Sequence, residues 1–218
     1  MNNTKITAKA KNIAFAKDVT IQYAQADGTW NERPLSWQKN FTGYDLFALT
    51  DNTFSTTEFV IRYTVNGQTF WDNNNGTNYH VDSARPNTVG GNVILNKATA
   101  RRGSQAGGGF VFTTSWVEGE IFIKNLSFQK HVGIRLSADG GASFHDTHAS
   151  FSGNVPVAVG VSQVEIWKLK TPELNLDQST ANFRFAIFYN NLNTGEWFWD
   201  NNFGQDYTLS KTDLASIE

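Results

Sequence analysis

Apolar and polar residues alternate along most of this chain, as they do in β-strands that have one buried face. In the segment VTIQY that begins at Val19, the three apolar side chains fall on one face and Thr20 and Gln22 on the other. Gly, Asn and Asp separate further segments rich in β-branched and aromatic residues, which are Phe59–Val65, Glu120–Leu126, Val164–Lys170 and Phe183–Tyr189. This pattern predicts an all-β fold with a β-sandwich in each half of the chain.

Two blocks of sequence occur twice and in the same order. KNIAFAK begins at Lys11 and KNLSFQK at Lys124, and each block is predicted to form a strand that runs on to an Asp-Gly turn. FWDNNNGTNY begins at Phe70 and FWDNNFGQDY at Phe198. Two ordered matches of this length predict two homologous domains in tandem.

The predicted boundary between the domains is a segment around Pro86 that has a glycine pair and no alternation. We expect a first domain over residues 1–82, a linker over 83–91, a second domain over 92–210 and a tail over 211–218. In the second domain, Val93–Ala100 is predicted to be the first strand and Arg101–Gly109 a flexible loop. The first copy has no counterpart of these residues, so we expect the first domain to lack one strand.

Composition and charge narrow the classes of function. The chain has 18 Lys and Arg against 20 Asp and Glu, so its net charge of −2 leaves no basic excess for phosphates, and we expect no nucleic-acid partner. The absence of cysteine excludes disulfides, thiolate nucleophiles and cysteine-ligated zinc. No apolar run is long enough to span a membrane, and the first residues lack the apolar core of a signal peptide, so we expect no membrane partner.

Aromatic residues make up 14% of the chain, and the two WDNN segments place an indole beside amide side chains in an Asn- and Gly-rich loop. An indole can stack on the apolar face of a pyranose ring, and amides can pair with sugar hydroxyls. These loops therefore favour a neutral sugar ligand, although a plain turn beside a core Trp explains the same residues. Trp30 is predicted to bind ligand from an exposed loop, and Trp197 either extends the surface of Trp199 or packs beneath it.

Catalytic and metal-binding motifs are absent from the sequence, apart from HDTH at His145–His148. This segment resembles a metal-binding pair, but it is predicted to lie in a loop that has no obvious third ligand. Asp72 and Asp200 are assigned to turn capping rather than to chemistry. We therefore expect no catalytic residue, no metal and no cofactor, and we do not expect an enzyme.

The two motif pairs, KNIAFAK with WDNNNGTNY and KNLSFQK with WDNNFGQDY, resemble carbohydrate-binding module family 21, whose modules bind starch and glycogen. The resemblance covers most of both copies. It implies two immunoglobulin-like β-sandwich domains in tandem and non-catalytic binding of α-1,4-glucans.

The resemblance also implies site residues by position. One carbohydrate-binding site would combine a loop aromatic, the aromatic before Asp-Asn-Asn and the loop amides, which are Trp30, Trp71, Asn73, Asn74, Asn75 and Asn78 in the first copy and Phe144, Trp199, Asn201 and Asn202 in the second. A second site would use Phe15, Trp37 and Tyr44 in the first copy and Phe128 and Phe151 in the second. The second copy has Phe203 and Asp206 where the first has amides, so we expect its first site to be weaker for short ligands.

Three hypotheses follow for the whole chain. The first is a pair of α-glucan-binding modules that act as the accessory part of an amylolytic enzyme, with a covalently attached catalytic domain. The second is a glycogen-targeting scaffold that recruits a phosphatase through a basic-x-aliphatic-x-aromatic motif; KNIAF fits this pattern, but a strand would make it unavailable. The third is a hydrolase that acts alone. The first hypothesis favours an extracellular location, and a cytoplasmic one stays open.

Overall fold

The computed structural model describes residues 4–41, 43–51, 56, 58–74, 76–80, 91–107, 109–155, 164–175, 182–202, 204–212 and 216–217. They belong to two compact units, Met1–Gly90 and Gly91–Glu218. All regular elements within the described ranges are β-strands. In the same ranges there is no helix with the length and hydropathy needed to cross a membrane.

The first unit consists of two antiparallel sheets. Its strands are β1 (Thr4–Lys11), β2 (Lys17–Ala24), β3 (Trp30–Pro34), β4 (Ser36–Phe41), β5 (Tyr44–Asp51), β6 (Glu58–Val65), β7 (Gln68–Asp72) and β8 (Tyr79–His80). One sheet has the order β1-β5-β4, and the other has the order β3-β2-β6-β7 with β8 also paired to β6. Buried side chains from both sheets form one core, which includes Ile6, Val19, Ile21, Tyr23, Phe47, Phe59 and Tyr79.

The second unit repeats this plan with added strands. They are β9 (Val93–Gly107), β10 (Phe110–Lys124), β11 (Lys130–Ser137), β12 (His145–His148), β13 (Ser150–Asn154), β14 (Val164–Lys170), β15 (Leu174–Asn175), β16 (Asn182–Asn191), β17 (Glu196–Asp200), β18 (Tyr207–Ser210) and β19 (Ser216–Ile217). The sheets are β13-β14-β10-β9-β19, with β15 beside β10, and β12-β11-β16-β17, with β18 beside β16. The predicted all-β fold, with a sandwich in each half, is confirmed.

The first strand of the second unit differs from the sequence-based expectation. Residues predicted as a flexible loop from Arg101 continue β9 as far as Gly107, in unbroken pairing with β10. Gly103 has a packing role there, because a Cβ at this position would lie 3.0 Å from the ring of Trp116. The loop prediction was therefore wrong: the small residues allow β9 to lie close to β10 and to the side chains that β10 carries.

The edges of the two units also differ. In the first unit β1 pairs with β5, and it lies at the edge of its sheet. Its counterpart β10 pairs in the same way with β14, but β9 covers its other side. Ser216–Ile217, which the sequence analysis assigns to a tail, pair with β9. The expected linker over 83–91 lies almost entirely outside the described residues.

The two K-N blocks are bends and not strands, which corrects the sequence-based prediction. β1 ends at Lys11 and β2 begins at Lys17, so Phe15 lies in the connection between them. In the second unit Phe128 lies between the end of β10 and the start of β11. Both phenylalanine side chains are almost fully exposed to solvent, at 101% and 96%.

A buried ion pair holds each bend and joins the two sheets of its unit. The Lys17 ammonium on β2 contacts the carboxylate of Asp45 on β5 and donates to Asn12 Oδ1 at 2.7 Å. In the second unit Lys130 Nζ lies 2.8 Å from Glu165 Oε1 and 2.7 Å from Asn125 Oδ1. The four charged side chains are at least 91% buried, with exposures of 4% to 9%. Hydrogen bonds from Lys17 and Asn40 hold the pKa of Asp45 below its ordinary value.

We expect Lys130→Met to destabilise the second unit by about 3–5 kcal/mol, because it leaves the Glu165 carboxylate buried without its partner. Urea titration of the full chain, followed by circular dichroism, measures this loss. The double variant Lys130→Met with Glu165→Leu should recover most of it, since no buried charge is then left alone. As a control, Arg101→Met removes a solvent-exposed ion pair with Glu118 and should change stability by less than about 1 kcal/mol. Equal losses for the two single variants would contradict the prediction.

Candidate functional site

The two tryptophans predicted to bind ligand in the first unit lie on the same outer face of its five-stranded sheet. Ile21 and Tyr23 of β2 point into the core, so Ala24, opposite Trp30, points outward. By the same alternation Arg62 of β6 points outward. Trp71 lies opposite Arg62, so it points outward too. Trp30 is 47% exposed and Trp71 is 50% exposed.

Hydrogen-bonding side chains fill the surface between these two indoles. Glu32 Oε2 accepts from Gln22 Nε2 at 3.3 Å and lies 3.1 Å from Arg62 Nη1. A cleft of about 180 Å³ beside them is lined by Gln22, Trp30, Asn31 and Glu32. Three strand spacings separate β3 from β7, which is about 14 Å, so one sugar ring cannot contact both indoles. The face fits an oligosaccharide that runs from one indole to the other.

The loop that follows Trp71 is fixed by hydrogen bonds of its own residues. The hydroxyl of Tyr79 donates to Asp72 Oδ1 at 2.6 Å. The Gly76 amide donates to both the backbone oxygen and the Oδ1 of Asn73, at 3.1 and 3.0 Å. Asn74 and Asn78 have φ angles of +51° and +54°, which asparagine adopts more readily than most residues. Asp72 Oδ1 also accepts from the backbone amide of Asn74 at 3.5 Å, so this carboxylate caps the turn, as the sequence predicts.

Most of the predicted amide ligands take part in building this loop. Asn74 Nδ2 donates to the backbone oxygen of Asn78 at 3.0 Å, and Asn78 Nδ2 donates to Glu58 Oε1 at 2.6 Å. Asn73 Oδ1 accepts from Gly76, as described above. Asn75 lies outside the described residues. The asparagines therefore shape the edge of the site, and fewer of their polar groups face a ligand than the sequence pattern predicts.

The second unit repeats the loop with one added contact to the opposite sheet. Asp200 accepts from the Tyr207 hydroxyl at 2.9 Å, and its Oδ2 accepts from the Leu95 amide of β9 at 2.7 Å. Burial raises the pKa of Asp200, and burial together with this carboxylate raises the pKa of Tyr207. Asn201 Oδ1 accepts from Gly204 at 2.9 Å, and Asn202 Nδ2 donates to the Asp206 backbone at 3.2 Å.

Asp206 does not present a free negative charge at this loop. Its Oδ2 lies 2.7 Å from Arg184 Nε, so an ion pair satisfies the carboxylate that the sequence analysis treats as a defect of the second site. Phe203, the other departure from the first copy, lies outside the described residues.

A carboxylate orders the turn before Trp30 and the turn before Phe144. Trp30 is the first residue of β3 and not a loop residue, which corrects its sequence-based placement. Asp27 accepts from the hydroxyl and the backbone amide of Thr29 at 2.7 and 2.9 Å, directly before Trp30. Asp139 accepts from the amide and hydroxyl of Ser143 at 2.9 and 2.6 Å, directly before Phe144. These hydrogen bonds lower the pKa of both aspartates. Phe144 is 41% exposed, and it occupies in the second unit the place that Trp30 has in the first.

HDTH forms strand β12 and is not a loop, so that part of the sequence-based prediction was wrong. Asp146 pairs with Arg135 through two hydrogen bonds of 2.7 and 2.8 Å. His148 stacks on His131 with 4.5 Å between ring centroids. The described residues contain no group of three or more His, Cys, Asp or Glu side chains arranged to hold a metal ion.

The residues predicted for a second site lie at the other sheet of each unit. Phe15 is fully exposed in its bend, Tyr44 has Lys9 Nζ 3.9 Å from its ring centroid, and Trp37 is 58% exposed on β4. In the second unit Phe128 is exposed in its bend, and Phe151 packs edge-on against Trp167 at 5.9 Å. The position that matches Tyr44 is Val164, so this unit has no third aromatic there.

Sequence reasoning missed part of the second unit's outer face. Trp197 and Trp199 are both there, 46% and 40% exposed, and Arg135 lies over the Trp199 ring at 4.9 Å. The signal for Trp197 is its spacing of two residues from Trp199 on one strand. Nothing in the sequence indicates the contribution of Arg135, which comes from a strand two positions away in the sheet.

Comparison with known proteins places these features in a family. The protein-family model described as carbohydrate/starch-binding module (family 21) matches this sequence over residues 4–82 and 109–210. Among similar proteins, glucoamylase 1 of Rhizopus oryzae is 36% identical over 85 residues, which are 36% of this chain and 14% of that protein. Protein phosphatase 1 regulatory subunit 3C of Bos taurus is 30% identical over 93 residues, or 43% of this chain and 28% of that protein. The chain thus matches less than a third of the length of either relative.

One solved structure among the matches is the solution structure of the carbohydrate-binding module of the muscle glycogen-targeting subunit of protein phosphatase 1. It is 23% identical, covers 58% of this chain and 78% of that chain, and has a TM-score of 0.37. The family match covers each repeat and includes both WDNN loops and both K-N bends. The chain therefore belongs to carbohydrate/starch-binding module family 21, and it carries two matches to that family in tandem.

Proposed function

We propose that this chain binds α-1,4-glucans such as starch, glycogen and maltooligosaccharides, and that it catalyses no reaction on them. The observation that carries the proposal is the outer face of the first unit, where two half-exposed indoles lie on either side of a row of hydrogen-bonding groups. The indoles offer stacking surfaces for sugar rings, and the polar row between them offers donors and acceptors to hydroxyls.

The twist of the sheet favours a curved glucan over a flat one. Neighbouring strands of a sheet rotate by about 20–25° relative to each other, so β3 and β7 differ in direction by roughly 60–75°. Trp30 and Trp71 stand on these two strands, so the face that carries them is twisted. An α-1,4-linked chain curves and can follow such a surface.

No catalytic role is assigned to the carboxylates beside the indoles. Glu32 accepts a hydrogen bond from Gln22 and forms an ion pair with Arg62, and these contacts orient it as an acceptor for hydroxyls. We propose that sugar recognition uses this network together with Trp30, Trp71 and the edge of the asparagine loop. In the second unit Phe144, Trp199, Asn201 and Asn202 take the matching places.

The accessory role belongs to the same proposal. The similarity to a glucoamylase supports a chain that holds a covalently attached catalytic domain against its polysaccharide, and such an enzyme would act outside the cell. The second candidate sites, with Phe15, Trp37 and Tyr44 in the first unit, would add a weaker contact for a long glucan.

A glycogen-targeting scaffold that recruits a phosphatase is the alternative, and one observation favours it. KNIAF follows the end of β1 at Lys11 and lies in a bend, with Ile13 48% and Phe15 fully exposed, so the strand predicted to make the motif unavailable is not formed there. Several similar proteins are named as regulatory subunits of protein phosphatase 1. Capture of that phosphatase by the full chain, abolished by Ile13→Ala with Phe15→Ala, would favour the scaffold. Starch retention without such capture would favour the accessory module.

We expect Trp30→Ala and Trp71→Ala each to weaken binding of maltooligosaccharides by the first unit about fivefold or more, because each removes one stacking surface worth on the order of 1 kcal/mol. Both side chains are half exposed, so circular dichroism should show an intact fold. Calorimetry with the full chain and maltoheptaose measures the effect, in a Trp199→Ala background that weakens the other unit.

Trp116→Ala is a matched control for these variants, since it removes a half-buried indole from a sheet that carries no predicted first-site residue. Its affinity for maltoheptaose should stay within twofold of the parent, roughly, because no stacking surface is lost. Unfolding by Trp71→Ala would mean that this residue belongs to the core. Retention of the chain on cellulose but not on starch would contradict the α-glucan proposal.

Two binding units on one chain should give avidity for a polymer. After one unit engages, the other experiences an effective concentration that can reach the millimolar range. We therefore expect the intact chain to bind granular starch at least about tenfold more tightly than a full-chain variant in which one unit lacks its outer-face tryptophans. Binding of maltose should show little such gain, since it cannot reach two sites. Equal retention of the intact and single-site chains on granules would exclude avidity.

A further inference from the structure

The outer face of the second unit has a row of aromatic rings with no counterpart in the first unit. Trp197 and Trp199 are two residues apart on β17, so both point outward, opposite Asn190 and Phe188 of β16. Phe198 between them points the other way and packs on Tyr189 at 5.5 Å, next to the core. Trp197 is therefore a surface indole and does not pack beneath Trp199.

Phe188 forms the floor of this row. It points outward from β16 and yet is only 1% exposed, because the rings of Trp197, Trp199 and His148 lie 5.6, 5.8 and 5.9 Å from it. Gly133 lies opposite Phe188 on β11, and a Cβ there would come within 2.7 Å of the Phe188 ring. Gly133 thus leaves the space that the Phe188 ring occupies.

The row has a fixed order along the strands. Arg135 lies opposite Ala186, Trp199 opposite Phe188 and Trp197 opposite Asn190. Phe144, the aromatic that matches Trp30, directly precedes β12, and β12 begins beside the C-terminal end of β11. Of the two indoles on β17, Trp197 is therefore the one farther from Phe144. Trp197 and Trp199 are nearly parallel, at 12° and 5.7 Å between centroids. Trp197 is thus much closer to Trp199 than the strand after Phe144 is, since three strand spacings, or about 14 Å, separate β12 from β17.

The first unit has different chemistry at these positions. When the pairing of β6 with β7 is aligned with that of β16 with β17, Arg62 takes the position of Phe188 and Thr69 takes the position of Trp197. Arg62 is paired with Glu32, so the surface next to Trp71 there is polar and carries no second indole. Two units with the same fold therefore present binding faces of different length.

We propose that Trp197 forms an additional sugar-stacking subsite next to Trp199, at the end of the second unit's binding face, so that this unit holds neighbouring glucose residues of an α-1,4-glucan with two indoles. The inference rests on the proposed function. The two indole centroids are 5.7 Å apart, so a disaccharide that covers Trp199 also reaches Trp197. The first unit has Thr69 at the position of Trp197 and offers one indole there.

The test uses the full chain with Trp30→Ala and Trp71→Ala, so that binding reports on the second unit, and it adds Trp197→Thr, the residue of the first unit. Calorimetry with maltose and with maltooligosaccharides up to maltoheptaose gives affinity against chain length. We expect Trp197→Thr to weaken the binding of both maltose and maltoheptaose about fivefold, because each ligand that covers Trp199 also reaches Trp197 and loses one stacking surface. Trp197→Phe should retain part of the affinity, since it keeps a ring, whereas Trp197→Leu should lose as much as Trp197→Thr.

The matched control is Trp116→Thr in the same background, which should leave affinity unchanged at every length. Parent-like affinity of Trp197→Leu at every length would overturn the inference and make Trp197 an apolar support for the Trp199 ring. Unchanged binding of Trp197→Thr at all lengths would overturn it as well, and in both cases the proposed function stands. Failure of the parent to bind any of these glucans would overturn the inference together with the proposed glucan binding of the second unit.

Discussion

The buried pair of a lysine ammonium and a carboxylate is the interaction on which each unit depends. Lys17 with Asp45, and Lys130 with Glu165, join the two sheets of a sandwich at the start of a central strand. Because a buried charge is costly without its partner, this contact fixes the register of one sheet against the other. The asparagine of each K-N block shares the same ammonium and holds the bend before that strand. The exposed phenylalanine in each bend is a consequence of this geometry.

The WDNN loops are held in shape by their own side chains. The aspartate accepts from a tyrosine seven residues later, and the asparagine side chains satisfy backbone groups of the turn. Such bonds make the loop rigid, which lowers the entropy lost when it meets a ligand. Trp71 and Trp199 each lie one residue before the end of a strand, so the pairing of that strand holds their backbone in place.

The two units show how one scaffold accommodates different surfaces. Inward-facing residues of the repeats are similar in kind, because the core must be filled in both. Outward-facing residues are free to differ, and they do: an ion pair of Arg62 with Glu32 lies beside Trp71, whereas Phe188 and Trp197 lie beside Trp199. The two copies thus share the sandwich and differ in the side chains on its outer face.

The sequence by itself determined most strands, the duplication, the family resemblance and the exposure of Trp30, because alternation, repeats and turn residues are local signals. It left Trp71 open between core and surface, and only its place opposite Arg62 on the outer face of the sheet shows that it is exposed. It did not determine the bends at the K-N blocks, since the Asp45 carboxylate that holds Lys17 is 28 residues away in the chain. Nor did it separate the loop-building role of Asn74 and Asn78 from a ligand role, because an amide looks the same in both. Arg135 and Phe188 contact the Trp199 ring because of the order of the strands in the sheet, which the tertiary structure alone decides.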